Sequence, residues 1–293
     1  MQPPFRTVTA DFTDFRLLDT GEGYRLEQWG PYRLARPDPQ AIWNRHAPPA
    51  EWAAADATFE VSGEKGAWRK RSPLPPVWTM RHQLQSTQKE LLLHARLTPF
   101  KHTGIFAEQA ANWEWMAAKA GKGKRKILNL FGYTGAATVL LSSLGHAVTH
   151  VDASRPAITW ARENQRLNRL PEDAIRWMLD DAVKFVQREI RRGQRYDGIV
   201  MDPPAFGHSP SGQTWKFSHD LPGLLVAAVR REAGGDFLLI NGYATNSSAI
   251  ALQNLLEDSM GSRKGVIEHG ELCLMQADER LISTGIFARW SRA

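Results

Sequence analysis

Cysteine is almost absent from this chain: Cys273 is the only one among 293 residues. A single cysteine excludes an internal disulfide framework and any zinc site built from several cysteines, and we expect no metal. No apolar run reaches the length of a transmembrane helix, so we expect no membrane partner. The first residues, MQPPFRTVTADF, lack a basic segment followed by an apolar one, so we expect no secretory signal. These absences favour the cytoplasm.

Acidic residues are fewer than basic ones, 31 against 37, which gives a net charge of +6. An excess of Lys and Arg favours a polyanionic partner such as RNA, because these side chains neutralise phosphates. A charge of this size is also common on proteins that only need to be soluble. Eleven tryptophans could stack on bases, although most are expected in the core. Arg69 to Arg71 beside Trp68 form either an RNA-contacting patch or, as we favour, a solvated hairpin.

The segment Lys126 to Gly135, KILNLFGYTG, is the strongest local pattern. Its short apolar run predicts a buried parallel strand, and the apolar residues after it predict a helix. A strand, a glycine turn and a helix bring a ligand close to the backbone at a helix N-terminus. We expect Gly132 to supply unusual dihedrals and Gly135 to allow close approach. The spacing lacks the third glycine of the dinucleotide fingerprint, which disfavours an NAD-dependent oxidoreductase.

Two further strands are predicted to end in acidic residues. The first, HAVTHV, ends at Asp152, twenty residues after Gly132, where a carboxylate can accept hydrogen bonds from ribose hydroxyls. Asp152 could instead cap the next helix, as could Ser154. The second strand, GIVM, precedes Asp202 in the sequence DPPAF. Its two prolines fix the backbone and leave carbonyls as acceptors, although an ordinary Asp-Pro turn is the alternative.

Taken together, NLFGYTG, VDAS, DDAVKFV and DPPAF resemble the motifs of class I S-adenosylmethionine-dependent methyltransferases. They are most similar to the large-subunit ribosomal RNA group that includes the 23S rRNA m5C and m7G enzymes. The resemblance runs from about Thr98 to the C-terminus. It implies S-adenosylmethionine as cofactor and an α/β, Rossmann-like, seven-stranded sheet with a C-terminal antiparallel hairpin in residues 97–293. Short alternating segments and turn signals predict a small β-rich domain in residues 1–96.

The resemblance also implies roles for individual residues. Thr98 to Met116 is similar to a K-T-G-x-F-x-x-Q segment beside the cofactor, although Lys101 is displaced by one position. Gln109 could equally be a cap-region residue, and Asp180 could cap the helix that follows it. The implied cofactor-binding residues are Thr103, Phe106, Gln109, Gly132, Tyr133, Thr134, Gly135, Asp152, Ala153, Ser154, Asp181, Ala182 and Asp202. The implied catalytic residues are Asp202, Pro203, Pro204 and Phe206.

The acceptor is expected to be a base of RNA, with ribosomal RNA favoured. The m5C relatives carry a catalytic cysteine where this chain has Tyr243, and Cys273 falls in the predicted terminal hairpin as a buried thiol. We therefore expect methylation without a catalytic cysteine and favour a base nitrogen, with Asp202 and the Pro203 carbonyl as acceptors for an amino or ring N–H. Ala205 separates the second proline from Phe206, unlike aminomethyltransferases, so the methylated atom stays open.

Two other functions and the oligomeric state also stay open. One is methylation of a protein or small molecule. The other is RNA binding without catalysis by a protein that retains the cofactor pocket. Monomer and homodimer are both compatible with the sequence. We also expect the polar loop His208 to His219 to help bind the acceptor.

Overall fold

The computed structural model describes residues 5–9, 11–63, 65–208, 214–229 and 235–293. The chain forms two compact units. The first contains residues 1–8, 112–272 and 285–293, and the second contains residues 9–111 and 273–284. The boundary at residue 96 that the sequence suggests lies inside the second unit, and part of the terminal hairpin belongs to that unit as well.

The helices and strands of the described residues are numbered in chain order. The strands are β1 (Phe5–Val8), β2 (Phe15–Gly21), β3 (Tyr24–Trp29), β4 (Tyr32–Pro37), β5 (Ala57–Ser62), β6 (Lys65–Lys70), β7 (Trp78–Gln83), β8 (Glu90–Ala95), β9 (Lys126–Leu130), β10 (Ala147–Asp152), β11 (Ile175–Leu179), β12 (Gly198–Met201), β13 (Phe206–His208), β14 (Thr214–Lys216), β15 (Phe237–Gly242), β16 (Gly265–Met275) and β17 (Leu281–Arg292). The α-helices are α1 (Pro49–Ala53), α2 (Ala110–Ala120), α3 (Ala136–Ser143), α4 (Arg155–Leu167), α5 (Ala182–Arg191), α6 (Phe217–Val229) and α7 (Ala249–Met260), and a 3-10 turn spans Ala107–Gln109. No helix among these is long and apolar enough to cross a membrane.

The first unit is built on an eight-stranded sheet with the order β1-β16-β17-β15-β12-β9-β10-β11. Strands β9, β10, β11, β12 and β15 pair in parallel, and β17 is antiparallel to β15. The seven strands and the terminal hairpin expected from the sequence are confirmed. The eighth strand, β1, pairs in parallel with β16 and was not predicted, because its exposed residues show no alternation of apolar and polar side chains.

Burial explains why the central strands read as continuous apolar runs. Every residue of β12 and β15 is buried, since both faces of the sheet are covered. Phe185 of α5, Leu225 of α6 and Leu256 of α7 are each fully buried in the same core. A buried side chain of this size contributes about 1.5–3 kcal/mol relative to leaving it in water, so these helices are held mainly by the sheet they cover.

The second unit contains a five-stranded sheet, β2-β3-β4-β5-β6, and the separate pair β7-β8. The antiparallel strands predicted between residues 15 and 36 and the hairpin of β5 and β6 are confirmed. Trp68 of this hairpin donates from Nε1 to the Thr98 carbonyl (2.8 Å) and packs edge-on against Phe59. These contacts give the Trp68 ring a structural role within the unit.

A buried carboxylate organises the middle of the five-stranded sheet. Glu27 is fully buried and accepts hydrogen bonds from Arg36 Nε (2.6 Å) and Trp29 Nε1 (2.8 Å). Arg25 Nε lies 3.0 Å from its other oxygen. Burial raises the pKa of Glu27, but the charges of Arg36 and Arg25 outweigh it and hold the pKa below its ordinary value. Glu27 is therefore a carboxylate paired on both oxygens.

Candidate functional site

The three motif loops of the first unit meet at one edge of its sheet. Strand β9 lies between β10 and β12 and is parallel to both, so their carboxyl ends lie side by side. The backbone confirms this arrangement: Gly132 N donates to the Val151 carbonyl (3.2 Å), and Asp202 N donates to the Leu130 carbonyl (3.3 Å). The glycine turn, Asp152 and the DPPAF loop are therefore neighbours.

One of the two glycines of the turn has a different role from the one expected. The left-handed residues are Phe131 (φ 57°), Tyr133 (φ 49°) and Gly135 (φ 80°), whereas Gly132 does not have a positive φ. The expectation that Gly132 supplies the unusual dihedral is wrong. Gly132 is required for close packing instead, because a Cβ there would lie 2.4 Å from Cε1 of His150. Gly135 has a positive φ and is also closely packed, because a Cβ there would lie 2.7 Å from the Cβ of Ala161.

The turn ends at the N-terminus of α3, which suits an anion. Gly135 is the N-cap and provides no side chain, and the first helical hydrogen bond runs from Val139 N to the Gly135 carbonyl (2.8 Å). The first-turn N–H groups are therefore not capped by that residue, and the helix dipole adds positive potential there. Within the turn itself, the N–H groups of Gly132, Tyr133 and Gly135 are already engaged by the Val151 carbonyl, the Asp152 carboxylate and the Gly132 carbonyl. The first turn of α3 can therefore hold a carboxylate.

Asp152 joins the glycine turn to the loop after β10. Its Oδ2 accepts from Tyr133 N and its Oδ1 from Ser154 N, both at 2.8 Å. Burial is the largest influence on Asp152 and raises its pKa, while the two N–H donors partly oppose this shift. The N-cap of α4 is Ser154, whose Oγ accepts from Ala157 N (3.3 Å), so the alternative in which Asp152 caps α4 is wrong. Each carboxylate oxygen has a second acceptor position for ligand hydroxyls.

The two acids after β11 lie next to Asp152, since Asp180 N donates to the Asp152 carbonyl (3.0 Å). Asp181 is the N-cap of α5, with Oδ1 accepting from Lys184 N (2.9 Å). Asp180 accepts from Asp181 N and forms an ion pair with Arg188. The alternative in which Asp180 caps the helix is therefore wrong. The capping bond orients the Asp181 carboxyl at the same sheet edge as Asp152.

The DPPAF loop is held in place by a tryptophan. Pro203 is buried, whereas Phe206 is 55% exposed. The predicted polar loop forms a hairpin of β13 and β14, and residues 209–213 of that loop lie outside the described residues. Trp215 donates from Nε1 to the Pro204 carbonyl (2.8 Å), and its ring lies 4.9 Å from the Phe131 ring. The hairpin thus connects the proline loop to the glycine turn.

Thr103, Phe106 and Gln109 belong to the second unit. Thr103 is buried, with its carbonyl accepting from Arg96 N (3.0 Å). Phe106 is the N-cap of the 3-10 turn that contains Gln109, and Gln109 N donates to the Phe106 carbonyl (3.1 Å). These contacts describe the local backbone, and the role of the three residues at a cofactor stays a prediction.

A buried histidine beneath the turn was missed by the sequence reading. His150 is fully buried, and its Nδ1 lies 2.9 Å from Thr138 Oγ1, which accepts from Asn129 Nδ2 (2.8 Å). Burial lowers the pKa of His150 to about 3, so the ring is neutral. A histidine inside an apolar strand, two residues before the acid, was the available signal.

The family is shown by comparison with known proteins. A family model described as S-adenosylmethionine-dependent methyltransferase matches residues 79–261, more than half of the chain. The chain belongs to this family. A SAM-dependent methyltransferase from Agrobacterium tumefaciens has a solved structure that is similar along almost the whole length, with 37% identity, 99% of this chain and 94% of that chain covered, and a TM-score of 0.91. The cofactor of the family is S-adenosylmethionine, and the uncapped N-terminus of α3 and the Asp152 carboxylate fit its carboxylate and its ribose.

Three further matches are a solved structure and two curated proteins. A structure described as a SAM-dependent methyltransferase from Streptococcus mutans has 17% identity and a TM-score of 0.73, covering 96% of this chain and 76% of that chain, and it shows the fold alone. The ribosomal RNA large subunit methyltransferase K of Neisseria meningitidis is 30% identical over 164 residues, 55% of this chain and 45% of that protein. The corresponding K/L protein of Syntrophotalea carbinolica is 39% identical over 119 residues, 40% of this chain and 16% of that protein. The chain spans less than half the length of these two curated relatives.

Proposed function

We propose that this protein transfers the methyl group of S-adenosylmethionine to a base of RNA, with ribosomal RNA as the substrate class. The observation that carries the proposal is the bridge formed by Asp152 between the glycine turn and the loop after β10. This bridge lies beside the DPPAF loop, whose Pro204 carbonyl accepts a hydrogen bond from Trp215. The names of the curated relatives support the RNA substrate. The proposal includes a cytoplasmic location and leaves monomer and homodimer open.

The cofactor would be held by groups along the carboxyl edge of the sheet. The first-turn N–H groups of α3, which follow the glycine turn, would bind its carboxylate, and the Asp152 carboxylate would accept from the ribose hydroxyls. Asp181 would accept from the adenine amino group, with the backbone N–H of Ala182 at the ring. S-adenosylmethionine supplies an electrophilic methyl group, so the protein's task is to position the acceptor in line with it.

The acceptor base would lie against the DPPAF loop. The Pro204 carbonyl already accepts a hydrogen bond from Trp215 Nε1. We therefore assign the hydrogen bonds from the target base to Asp202 and to the carbonyl of Pro203. The exposed Phe206 offers a ring on which a base can stack, an interaction of about 1–3 kcal/mol. A base amino or ring N–H would thus be oriented by acceptors on one side and a ring on another.

The proposed reaction uses no catalytic cysteine. Cys273 is buried in β16, and Tyr243 stands where the m5C relatives carry their nucleophile. The variant Cys273→Ala should retain methyl transfer to RNA. Loss of turnover in a folded Cys273→Ala protein would contradict this part of the proposal.

Cofactor binding is tested by calorimetry with S-adenosylmethionine. Asp152→Ala should raise Kd at least tenfold, a loss of about 1.4 kcal/mol. Asp173→Ala is the matched control, because Asp173 is an exposed acid of the same unit outside the site. Equal affinities of wild type and Asp152→Ala would refute the ribose contact.

The acceptor is tested by following radiolabelled methyl groups into RNA from cells that lack this protein, and by mapping the modified nucleotide. Asp202→Ala should abolish transfer, and calorimetry with S-adenosylmethionine measures separately how much of this loss comes from weaker cofactor binding. If a protein or small molecule were methylated and RNA were not, RNA would be wrong as the substrate class. Binding of both cofactor and RNA, with cellular RNA modification unchanged by Asp202→Ala, would favour a non-catalytic RNA-binding protein.

A further inference from the structure

The edge of the first unit's sheet opposite the cofactor site is lined with cations. It is formed by the loops before β9 and β12, the segment after α7 and the end of β17. Exposed basic side chains come from all four segments, and we call this set the basic edge. Its members are Lys122, Lys124, Arg191, Arg195, Lys264 and Arg292.

Backbone hydrogen bonds place three of these segments side by side, and a cavity lined by both Lys264 and Arg292 joins the fourth to them. Asp197 N donates to the Lys126 carbonyl (2.7 Å), Asp236 N donates to the Asp197 carbonyl (2.6 Å), and Arg292 N donates to the Asp236 carbonyl (2.9 Å). This row connects the start of β9, the start of β12, the start of β15 and the end of β17. The cations therefore form one surface although they are far apart in the sequence.

One end of the basic edge is concave. A cavity of about 280 Å³ is lined by Gly235, Arg263, Lys264, Trp290 and Arg292. The Arg263 guanidinium donates to the carbonyls of Met260 (3.3 Å) and Val229 (3.1 Å), which are neutral acceptors, so they fix its position without cancelling its charge.

Three of the acids described at this edge are already engaged, whereas Glu257 and Asp258 in the last turn of α7 are exposed. Asp236 pairs with Arg125 (3.0 Å), and Asp197 Oδ2 accepts from Lys126 N (2.7 Å). Glu189 pairs with Arg176 (3.1 Å) and with Arg192. Positive charge therefore dominates the exposed surface of this edge, and a ligand here would be an anion.

We propose that the basic edge binds phosphates of the RNA backbone away from the nucleotide that is methylated. This inference rests on the proposed RNA substrate. The five residues of β9 separate the two edges by about 16 Å, so one nucleotide at Asp202 cannot reach the basic edge. Cations spread over four segments suit a chain of phosphates better than one inorganic ion. Trp290, at 2% exposed, is recessed and cannot insert into a membrane.

The test compares two double charge reversals that change net charge equally. Lys264→Glu/Arg292→Glu alters the basic edge but spares Arg263, which holds backbone carbonyls. Arg16→Glu/Arg162→Glu alters exposed arginines in β2 and in the middle of α4. Affinity for a labelled single-stranded ribosomal RNA fragment is measured by fluorescence anisotropy over a range of KCl concentrations.

We expect the basic-edge variant to bind at least tenfold more weakly and the control less than threefold. The slope of log K against log salt should fall by about 1.4 in the basic-edge variant, since each phosphate contact with a single strand contributes about 0.7. Calorimetry with S-adenosylmethionine should show wild-type affinity in both variants. If the two glutamates disturb cofactor binding, the variant Lys264→Gln/Arg292→Gln is used instead. Its affinity for RNA should fall at least threefold.

If both double variants bound RNA equally more weakly than the wild type, the proposal would be overturned in favour of a general charge effect. An unchanged RNA affinity would also overturn it, and accompanying loss of binding to phosphatidylserine vesicles or to inorganic phosphate would identify the other ligand. The RNA substrate and the role of the basic edge can be tested separately. A wild-type protein that binds S-adenosylmethionine but not RNA would refute the RNA substrate, whereas RNA binding that is insensitive to Lys264 and Arg292 would refute only the basic edge.

Discussion

Gly135→Ala tests the reasoning about the glycine turn most directly. An alanine at φ 80° is strained by about 1–2 kcal/mol, because its Cβ approaches the following carbonyl. The new Cβ would also lie 2.7 Å from the Cβ of Ala161 in α4, and overpacking of this kind costs about 1–3 kcal/mol. We therefore expect the free energy of unfolding to fall by about 2–5 kcal/mol.

The two contributions can be separated with Ala161→Gly. Ala161 is fully buried inside α4, and glycine there costs about 1 kcal/mol in helix propensity. The double variant Gly135→Ala/Ala161→Gly removes the clash but keeps the strained dihedral. Its destabilisation should be smaller than the sum of the single variants by about 1–3 kcal/mol, which is the clash itself.

The assay is urea denaturation followed by tryptophan fluorescence, with calorimetry of S-adenosylmethionine beside it. Gly135→Ala should weaken cofactor binding because the turn must shift, whereas Ala161→Gly should leave it near wild type. Additive destabilisation within about 0.5 kcal/mol would show that the two residues do not touch. Wild-type stability of Gly135→Ala would refute the left-handed conformation as well.

Two further predictions concern buried titratable groups. Burial lowers the pKa of His150 to about 3 in the folded protein, whereas the unfolded chain binds this proton below pH 6.5. The free energy of unfolding therefore falls as the pH falls from 6.5 towards 3. His150→Gln should remove about 1.4 kcal/mol per pH unit from that slope in urea titrations, and a slope equal to that of the exposed control His219→Gln would contradict this. Glu27→Gln leaves Arg25 and Arg36 buried beside a neutral amide and should destabilise the protein by about 3–5 kcal/mol, and an unchanged melting temperature would disprove the pairing.

The sequence alone determined the features that depend on neighbouring residues. The apolar run before Gly132, the acid at the end of HAVTHV and the DPPAF loop each predicted a strand and its end correctly, because strand periodicity and turn chemistry are local. The hairpin of β5 and β6 was predicted for the same reason. The order of these elements along the chain was enough to indicate the fold.

Tertiary structure decided what depends on contacts between distant segments. Gly132 is constrained by His150 across a strand pair, and β1 pairs with β16 more than 250 residues later, so no local pattern could show either. Asp181 rather than Asp180 caps α5, and the contacts that hold Asp180, with the Asp152 carbonyl and with Arg188, are tertiary. The basic edge exists because parallel strands begin at a common edge, which collects cations from four separate parts of the chain.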